Sequence, residues 1–272
     1  MRALVRRQDP TVARLKSTHE AHERTVEEVL GAFDSLGVEA VPIGSRTRDV
    51  TSKRYALVVT IGGDGTLLRA SHKVSDVPVL GINSAPLSSV GFFCGVKNGG
   101  ALAAIERALD GRLESSQLAR MEVTIDGRVV SSRVLNDALF CHQSPAATSR
   151  YIIESGGVVE EQKSSGFWVG PAAGSTAAQR SAGGRILPLE SETLQLVVRE
   201  PYTPKGERYR LLRVLAKGEE QIVVRSKMRD AAIFLDGPDV VVHPQFGDVI
   251  SFRRSREPLV LLGIKSVRSH RR

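Results

Sequence analysis

The sequence has only two cysteines and no pattern typical of a metal site. Cys94 and Cys141 lie far apart, in neither a Cys-x-x-Cys nor a Cys/His ligand spacing. The six histidines form no His-x-x-x-His or His-Glu-x-x-His arrangement. We therefore expect buried free thiols, no structural metal ion and a reducing compartment, namely the cytoplasm.

Long apolar runs and aromatic residues are also scarce. No stretch approaches the roughly 18 consecutive apolar residues of a membrane span, and Met1 to Arg7 lack the apolar core of a secretory signal. Aromatics make up 5% of 272 residues, which is little for the stacking surfaces that bind single-stranded nucleic acid. The net charge of +8 is mostly scattered, so it indicates a solvated surface that attracts nucleotides. We expect neither a membrane nor a nucleic acid as partner.

The first half of the chain alternates strand and helix signals. Thr25 followed by Glu28 has the spacing of a capping box, and apolar residues recur after it at helical spacing until Gly37. The predicted strands are Ala3 to Arg6, Val38 to Ile43, Ala56 to Ile61 and Val77 to Ile82, and a further helix is predicted from about Ala101 to Leu109. This alternation predicts a parallel sheet covered by helices, an α/β domain.

From about Met121 the pattern changes to short alternating segments. Asp126-Gly127 predicts a hairpin turn between Met121 to Ile125 and Val129 to Phe140, and Asp236-Gly237 lies between two further strand signals. We therefore expect an α/β domain over residues 1–115 and a β-rich domain over residues 116–254. A tail of about 255–272 is expected to pack back on the first domain.

A glycine turn with a carboxylate inside it follows the apolar run that ends at Ile61. Its residues are Gly62, Gly63, Asp64, Gly65 and Thr66. The glycines leave room for backbone N–H groups to approach an anion at a helix N-terminus. A carboxylate beside phosphates adds repulsion unless it accepts a proton or holds a metal ion, so Asp64 indicates phosphoryl transfer.

Two commoner glycine motifs are excluded by spacing. A Walker A loop needs a lysine after its glycines, and Thr66 is followed by Leu67. A dinucleotide fingerprint needs a third glycine three residues after Gly65, where the chain has Leu68. An ordinary strand-to-helix turn with a capping aspartate is the remaining alternative.

Two later segments have the composition of a nucleoside site. Asn136-Asp137 interrupt an apolar run, and an amide with a carboxylate can bind a base and ribose hydroxyls, although the same dipeptide is also a common turn. Small residues dominate the stretch from Lys163 to Gly166 and from Ala172 to Gly184, so its backbone can approach a flat ligand or another chain closely, although tight helix packing alone could explain the alanines. Ser175 and Thr176 are expected to cap the short helix that follows.

Together these motifs resemble the NAD kinase family, in the family's order and over most of the chain. The motifs are Gly62 to Thr66, Gly81-Ile82-Asn83, Asn136-Asp137, Gly174 to Ala177 and Ser181 to Gly184. The resemblance implies a Rossmann-like α/β domain and a β-sandwich-like second domain, with the active site between them and near a neighbouring subunit. It implies transfer of the terminal phosphoryl group of Mg-ATP to the adenosine ribose 2′-hydroxyl of NAD or NADH.

The resemblance also assigns roles to individual residues. Asp64 is expected to be the general base or metal-linked carboxylate, within a glycine backbone that holds the donor phosphates. The residues expected to bind nucleotide are Gly62, Gly63, Gly65, Thr66, Asn83, Phe92, Asn136, Asp137, Gly174, Ser175, Thr176, Ala177 and Ser181.

Some residues depart from the common bacterial pattern. The aspartate of Ser-Asp-Gly is Ser165 here, and the tyrosine after Gly-Ser-Thr-Ala is Ala178. The residues at these positions instead resemble the branch of the plant NADH kinase and the animal mitochondrial NAD kinase. From this resemblance we expect a homodimer and the use of NADH. The sequence leaves open how adenine is held, whether NAD or NADH is the preferred acceptor, and whether ATP or polyphosphate is the donor. It also leaves open the oligomeric state and feedback regulation.

Two other functions are compatible with parts of this pattern. A diacylglycerol or sphingoid lipid kinase shares the Gly-Gly-Asp-Gly turn, although Asn136 and the segment around Gly174 suit a nucleotide better than a lipid. A nucleotide-binding regulator without catalysis is the other alternative, and the presence of Asp64 argues against it because binding alone least requires that residue.

Overall fold

A computed structural model describes residues 7, 9–43, 49–203 and 208–264. The chain forms two compact units: the first ends at Ser116 and is rejoined by the chain from Val260, and the second runs from Gln117 to Leu259. The α-helices are α1 (Ala13–Ser35), α2 (Asp64–Ser71), α3 (Ala101–Leu109) and α4 (Ala178–Ser181), and the 3₁₀ helices are Pro10–Val12 and Ala172–Thr176.

The strands are numbered in chain order. They are β1 (Val58–Ile61), β2 (Val79–Asn83), β3 (Val96–Lys97), β4 (Ser115–Leu118), β5 (Met121–Ile125), β6 (Arg128–Val134), β7 (Ala138–His142), β8 (Ser149–Ser155), β9 (Val158–Ser164), β10 (Phe167–Gly170), β11 (Leu194–Val198), β12 (Arg213–Ala216), β13 (Ile222–Ser226), β14 (Ala231–Leu235), β15 (Val240–Val242), β16 (Val249–Arg254) and β17 (Leu259–Leu262).

The first unit has a sheet whose centre is parallel. Among the described residues its order is β1-β2-β17-β4, with β3 also paired to β2. Strands β1, β17 and β3 all run parallel to β2, and β2 is buried along its whole length. Residues of α1 and α3, such as Val29 and Ile105, pack with Leu80 and Ile82 of β2. The predicted α/β class is confirmed, and α3 has its predicted bounds.

Helix α1 corrects the predicted helix start. Thr25 lies inside α1, and its Oγ1 donates to the carbonyl of Ala21 one turn earlier at 2.8 Å, so it caps nothing. Glu28 accepts from the backbone N–H groups of Gly99 and Ala101, each at 2.8 Å, and thereby satisfies the start of α3.

Two predicted strands of the first unit have other outcomes. The segment from Val38 to Ile43 is irregular, so that prediction is wrong; Val41 and Ile43 are exposed and gain nothing from a buried sheet position. The predicted strand from Ala3 to Arg6 lies outside the described residues.

The second unit is a sandwich of two antiparallel sheets. In the described chain their orders are β12-β11-β10-β7-β14-β15 and β6-β5-β16-β13-β8-β9. Their inner faces share one apolar core, in which Phe140 contacts Tyr151 edge-to-face at 5.7 Å and Phe167 contacts Phe252 at 6.0 Å between ring centroids. The predicted β-rich class of this half is confirmed.

The predicted strand from Val129 to Phe140 is two strands in the structure. Strand β6 pairs with β5 across the Asp126-Gly127 turn, whereas β7 pairs with β10 and β14 in the other sheet. The break falls at Leu135 to Asp137, whose backbone N–H groups bond to the carboxylate of Asp236 rather than to a neighbouring strand.

No helix among the described residues is long and apolar enough to cross a membrane.

Candidate active site

The glycine turn joins β1 directly to α2. Gly62 is buried with φ +152°, and a Cβ there would lie 2.3 Å from the hydroxyl of Thr66. Gly63 is the N-cap residue of α2, and no side chain caps the helix. The N–H groups of Gly63, Asp64 and Gly65 have no hydrogen-bond partner among the described residues. Three open donors at a helix N-terminus can accept an anion such as a phosphate group, and we call them the phosphate cradle.

Asp64 is the first residue of α2 and its carboxylate is held by backbone. Its Oδ1 accepts a hydrogen bond from the N–H of Phe93 at 2.8 Å. No partner of Oδ2 lies in the part of the chain that the structure describes. One oxygen therefore fixes the carboxylate, and the other remains available to a proton or a metal ion.

Asn83 fixes the conformation of the loop that leads to Phe93. Its side chain is buried, its Nδ2 donates to the carbonyl of Ser89 at 3.1 Å, and its Oδ1 accepts from the N–H of Ala85 at 3.1 Å. Gly91 has φ +62°, and a Cβ there would lie 2.2 Å from Asn83 Nδ2. The amide of Asn83 thus holds this loop, and its predicted contact with nucleotide stays a prediction.

Phe92 and Cys94 flank the residue that anchors Asp64. The ring of Phe92 lies edge-to-face on Phe93, with 5.1 Å between centroids. Burial, followed by the charge of Asp64, raises the pKa of Cys94 to about 12, so this thiol stays protonated at neutral pH. The thiol is therefore a neutral neighbour of Asp64 rather than a nucleophile.

In the second unit, Asn136 and Asp137 occupy the gap between β6 and β7. Asp137 is buried, and Asn136 Nδ2 donates to its Oδ2 at 3.2 Å. Burial, followed by the charge of Asp236, raises the pKa of Asp137 to about 7. The Asp137 carboxyl therefore changes its protonation state near neutral pH.

The small-residue segment packs on the backbone of Asn136. A Cβ at Gly174 would lie 1.6 Å from the carbonyl oxygen of Asn136, and a Cβ at Gly170 would lie 2.4 Å from it. Gln179 donates through Nε2 to the same oxygen at 3.4 Å and accepts through Oε1 from Gln195 Nε2 at 3.0 Å. The two predicted nucleoside clusters are therefore in direct contact within the second unit.

The hydroxyl of Ser175 is engaged inside the protein. It donates to the carbonyl of Ala172 at 2.7 Å and accepts from the N–H of Leu187 at 3.0 Å, so the predicted cap of α4 by Ser175 is wrong. Ala177 is the N-cap residue of α4, which has no side-chain cap. Thr176 and Ala177 are half-buried and Ser181 is exposed, and all three remain open to a ligand.

Three residues with local roles were not identified from the sequence. Phe93 acts through its backbone N–H, which carries no sequence signal. Asp236 was interpreted only as part of a hairpin turn. Arg199 lies 5.9 Å above the ring of Trp168, and its Nη1 is 3.4 Å from the carbonyl of Ser165, the position of the family's aspartate.

Open N–H donors at a helix N-terminus with a fixed carboxylate among them, at the carboxyl end of a parallel strand, are an arrangement typical of a phosphotransferase. Residues 10–113 match the family model of the ATP-NAD kinase N-terminal domain. A protein of Oryza sativa subsp. japonica described as a probable NADH kinase is 36% identical over 241 residues, which cover 80% of this chain and 73% of that protein. The chain belongs to the NAD kinase family.

Two solved structures have the same fold. An NAD kinase from Archaeoglobus fulgidus in complex with ATP superposes with a TM-score of 0.71 at 23% identity, over 87% of this chain and 88% of that chain. Yeast NADH kinase complexed with NADH superposes with a TM-score of 0.67 at 18% identity, over 78% of this chain and 62% of that chain. This chain therefore spans less than two thirds of the yeast protein.

Proposed function

We propose that this chain is an NAD(H) kinase, which transfers the terminal phosphoryl group of ATP to the adenosine ribose 2′-hydroxyl of NAD or NADH. Membership of the NAD kinase family and similarity to proteins described as NADH kinases support this reaction. The observation that carries the proposal is the placement of Asp64 within the three open N–H donors at the start of α2. The lipid-kinase alternative finds no support in these relatives.

Asp64 is proposed to act on the acceptor hydroxyl. Its Oδ2 takes the proton from the 2′-hydroxyl while the hydroxyl oxygen forms a bond to the terminal phosphorus of ATP. The bond between this phosphorus and the bridging oxygen breaks, which releases ADP. The N–H groups of Gly63, Asp64 and Gly65 bind phosphate oxygens of the donor, and Thr66 supports the turn. Catalysis then rests on positioning and charge stabilisation.

Magnesium is proposed to arrive with the donor. No group of three His, Cys, Asp or Glu side chains that could hold a metal ion occurs among the described residues, and Asp64 offers one free carboxylate oxygen. This donor set fits Mg²⁺, which proteins commonly bind through one or two carboxylates together with substrate phosphates. As a metal-linked carboxylate, the alternative to its role as base, Asp64 would hold the ion through Oδ2, and the ion would neutralise charge on the transferred group.

The second unit is proposed to bind the dinucleotide. Asn136 and Asp137 contact the nucleoside, and Gly174, Ser175, Thr176, Ala177 and Ser181 form the wall beside them. Asn83 and Phe92 of the first unit are proposed separately as nucleotide-binding residues. The packing of Gly174 on Asn136 supports a common site for these residues of the second unit. A homodimer and a cytoplasmic location complete the proposal.

The proposal is tested by supplying the purified protein with NAD or NADH and with ATP or polyphosphate, in Mg²⁺ buffer. We expect NADP or NADPH from at least one pair, loss of product with EDTA, and recovery with added Mg²⁺. Diacylglycerol vesicles serve as the rival acceptor. Dinucleotide binding without product would contradict the kinase proposal and favour a nucleotide-binding regulator. Phosphorylation of the lipid alone would favour a lipid kinase.

A further inference from the structure

The turn that joins β14 to β15 is bonded to the gap between β6 and β7. The carboxylate of Asp236 accepts from the backbone N–H of Leu135 at 2.8 Å, of Asn136 at 2.6 Å and of Asp137 at 3.0 Å. In return, the N–H of Asp236 donates to the carbonyl of Asp137 at 2.9 Å. One side chain thus satisfies three consecutive donors that no strand ladder reaches.

These hydrogen bonds fix the N–H side of the Asn136 backbone, and close packing against two glycines confines its carbonyl. The carbonyl oxygen of Asn136 lies against Gly170 and Gly174, where even a Cβ has no room. Hydrogen bonds to a carboxylate are shorter and stronger than those between neutral groups. The peptide that carries the Asn136 and Asp137 side chains is therefore clamped at both its N–H groups and its carbonyl.

A group of charged side chains, of which Arg120 is fully buried, lies close enough for the charge of Asp236 to act on it. Arg120 is fully buried, and although burial lowers its pKa to about 10, the charges of Glu257 and Asp236 act in the opposite direction. Glu257 accepts from Arg133 Nε at 2.7 Å and from the hydroxyl of Ser132 at 2.8 Å. Asp236 therefore interacts electrostatically with the buried guanidinium of Arg120.

We propose that Asp236 is a positioning residue for the dinucleotide: its carboxylate sets the backbone of residues 135–137, and through it the orientation of Asn136 and Asp137. Asp236 touches neither reacting atoms nor donor phosphates in this role. The inference rests on the proposed function, because it assigns Asn136 and Asp137 to the acceptor.

The backbone conformation of Asp236 decides which substitutions test this role. Asp236 has φ +52°, a conformation that asparagine and glycine adopt far more readily than other residues. Asp236→Asn keeps one acceptor oxygen and turns an N–H₂ group toward the clamped donors. Asp236→Gly removes every acceptor and leaves a Gly-Gly turn, which still suits a hairpin.

The chain offers a matched control at Asp126. Asp126 also precedes a glycine in a hairpin turn, has φ +48°, and accepts from the N–H of Val249 at 3.0 Å through Oδ1. Asp126→Asn therefore removes a comparable turn carboxylate without touching residues 135–137.

The test measures kcat and KM for NAD, NADH and ATP, with thermal unfolding of each variant. We expect Asp236→Asn to raise the acceptor KM about tenfold, equivalent to ~1.4 kcal/mol, and Asp236→Gly to raise it further. The ATP KM should stay within about twofold, and Asp126→Asn should match the unsubstituted chain.

Each outcome separates the inference from the proposed function. An unchanged acceptor KM in folded Asp236→Asn and Asp236→Gly protein overturns the inference while the kinase stands. Equal loss for acceptor and donor, or the same loss in Asp126→Asn, also overturns it, because a general loss of structure then explains the effect. An unsubstituted chain that makes no NADP or NADPH contradicts the proposed function itself.

Discussion

The backbone N–H of Phe93 donates to Oδ1 of Asp64 at 2.8 Å, across 29 residues of sequence. Phe93 is buried, and its carbonyl lies so close to Gly81 that a Cβ there would approach it to 2.7 Å. Strand β2 thus fixes the loop, and the loop fixes the carboxylate. Asp64 is held in one orientation before any ligand binds, which is the arrangement that a positioned base requires.

The phosphate cradle makes a prediction for Gly65. A Cβ at this position would meet no atom within 4 Å, so packing does not require glycine there. We expect Gly65→Ala to fold normally but to raise the KM for ATP at least about tenfold, or ~1.4 kcal/mol, because its methyl group occupies the space of a phosphate.

Gly31 provides the control for that substitution. It lies in α1 and also has open space around a Cβ. Gly31→Ala should leave the ATP KM unchanged and stabilise the protein by about 0.5–1 kcal/mol. If Gly65→Ala binds ATP as well as Gly31→Ala does, donor phosphates do not approach this turn.

The contact between Gly174 and Asn136 makes a second prediction. Because a Cβ at Gly174 would lie 1.6 Å from a backbone oxygen, the backbone itself must move to admit a methyl group. We expect Gly174→Ala to destabilise the protein by about 1–3 kcal/mol and to raise the acceptor KM. Chemical denaturation beside Gly31→Ala measures the first effect, and equal stabilities would contradict the packing described.

The buried carboxyl of Asp137 makes stability depend on pH. Its pKa is raised from 3.8 to about 7 in the folded protein by burial and by the charge of Asp236. The folded state therefore holds more protons than the unfolded chain between these values, and stability is lost as the pH rises from about 4 through 7. Asp137→Asn should remove this loss.

Thermal unfolding at pH 5 and pH 8 checks this prediction. The unsubstituted protein should lose more stability over that interval than Asp137→Asn does. Asp230→Asn, which changes an exposed carboxylate of the same unit, should follow the unsubstituted protein. Parallel curves for all three proteins would show that Asp137 does not titrate in this window.

Local sequence signals predicted many of the elements but not the contacts between them. Helix α3 has the bounds that its sequence predicted, from Ala101 to Leu109. The start of α1 was missed because Thr25 and Glu28 resemble a capping box, although Thr25 bonds back to Ala21 and Glu28 bonds to a segment 71 residues away. Side chains that act over such distances carry no local signature.

The same limit applies to the candidate site. Asp64 and its glycines were identified because strand, turn and helix are adjacent in sequence. Asp236 was not, because its partners lie about 100 residues earlier and its Asp-Gly dipeptide has a sufficient explanation as a turn. The roles of the predicted nucleotide-binding residues remain predictions until variants are assayed.

The most direct test of the central claim is formation of NADP and NADPH by Asp64→Asn protein beside the unsubstituted chain. Asp110→Asn, which changes an exposed carboxylate of the same unit, is the control. We predict that Asp64→Asn keeps its thermal stability and loses about 10²- to 10⁴-fold in kcat, while Asp110→Asn retains full turnover. Normal turnover by folded Asp64→Asn protein would contradict the account.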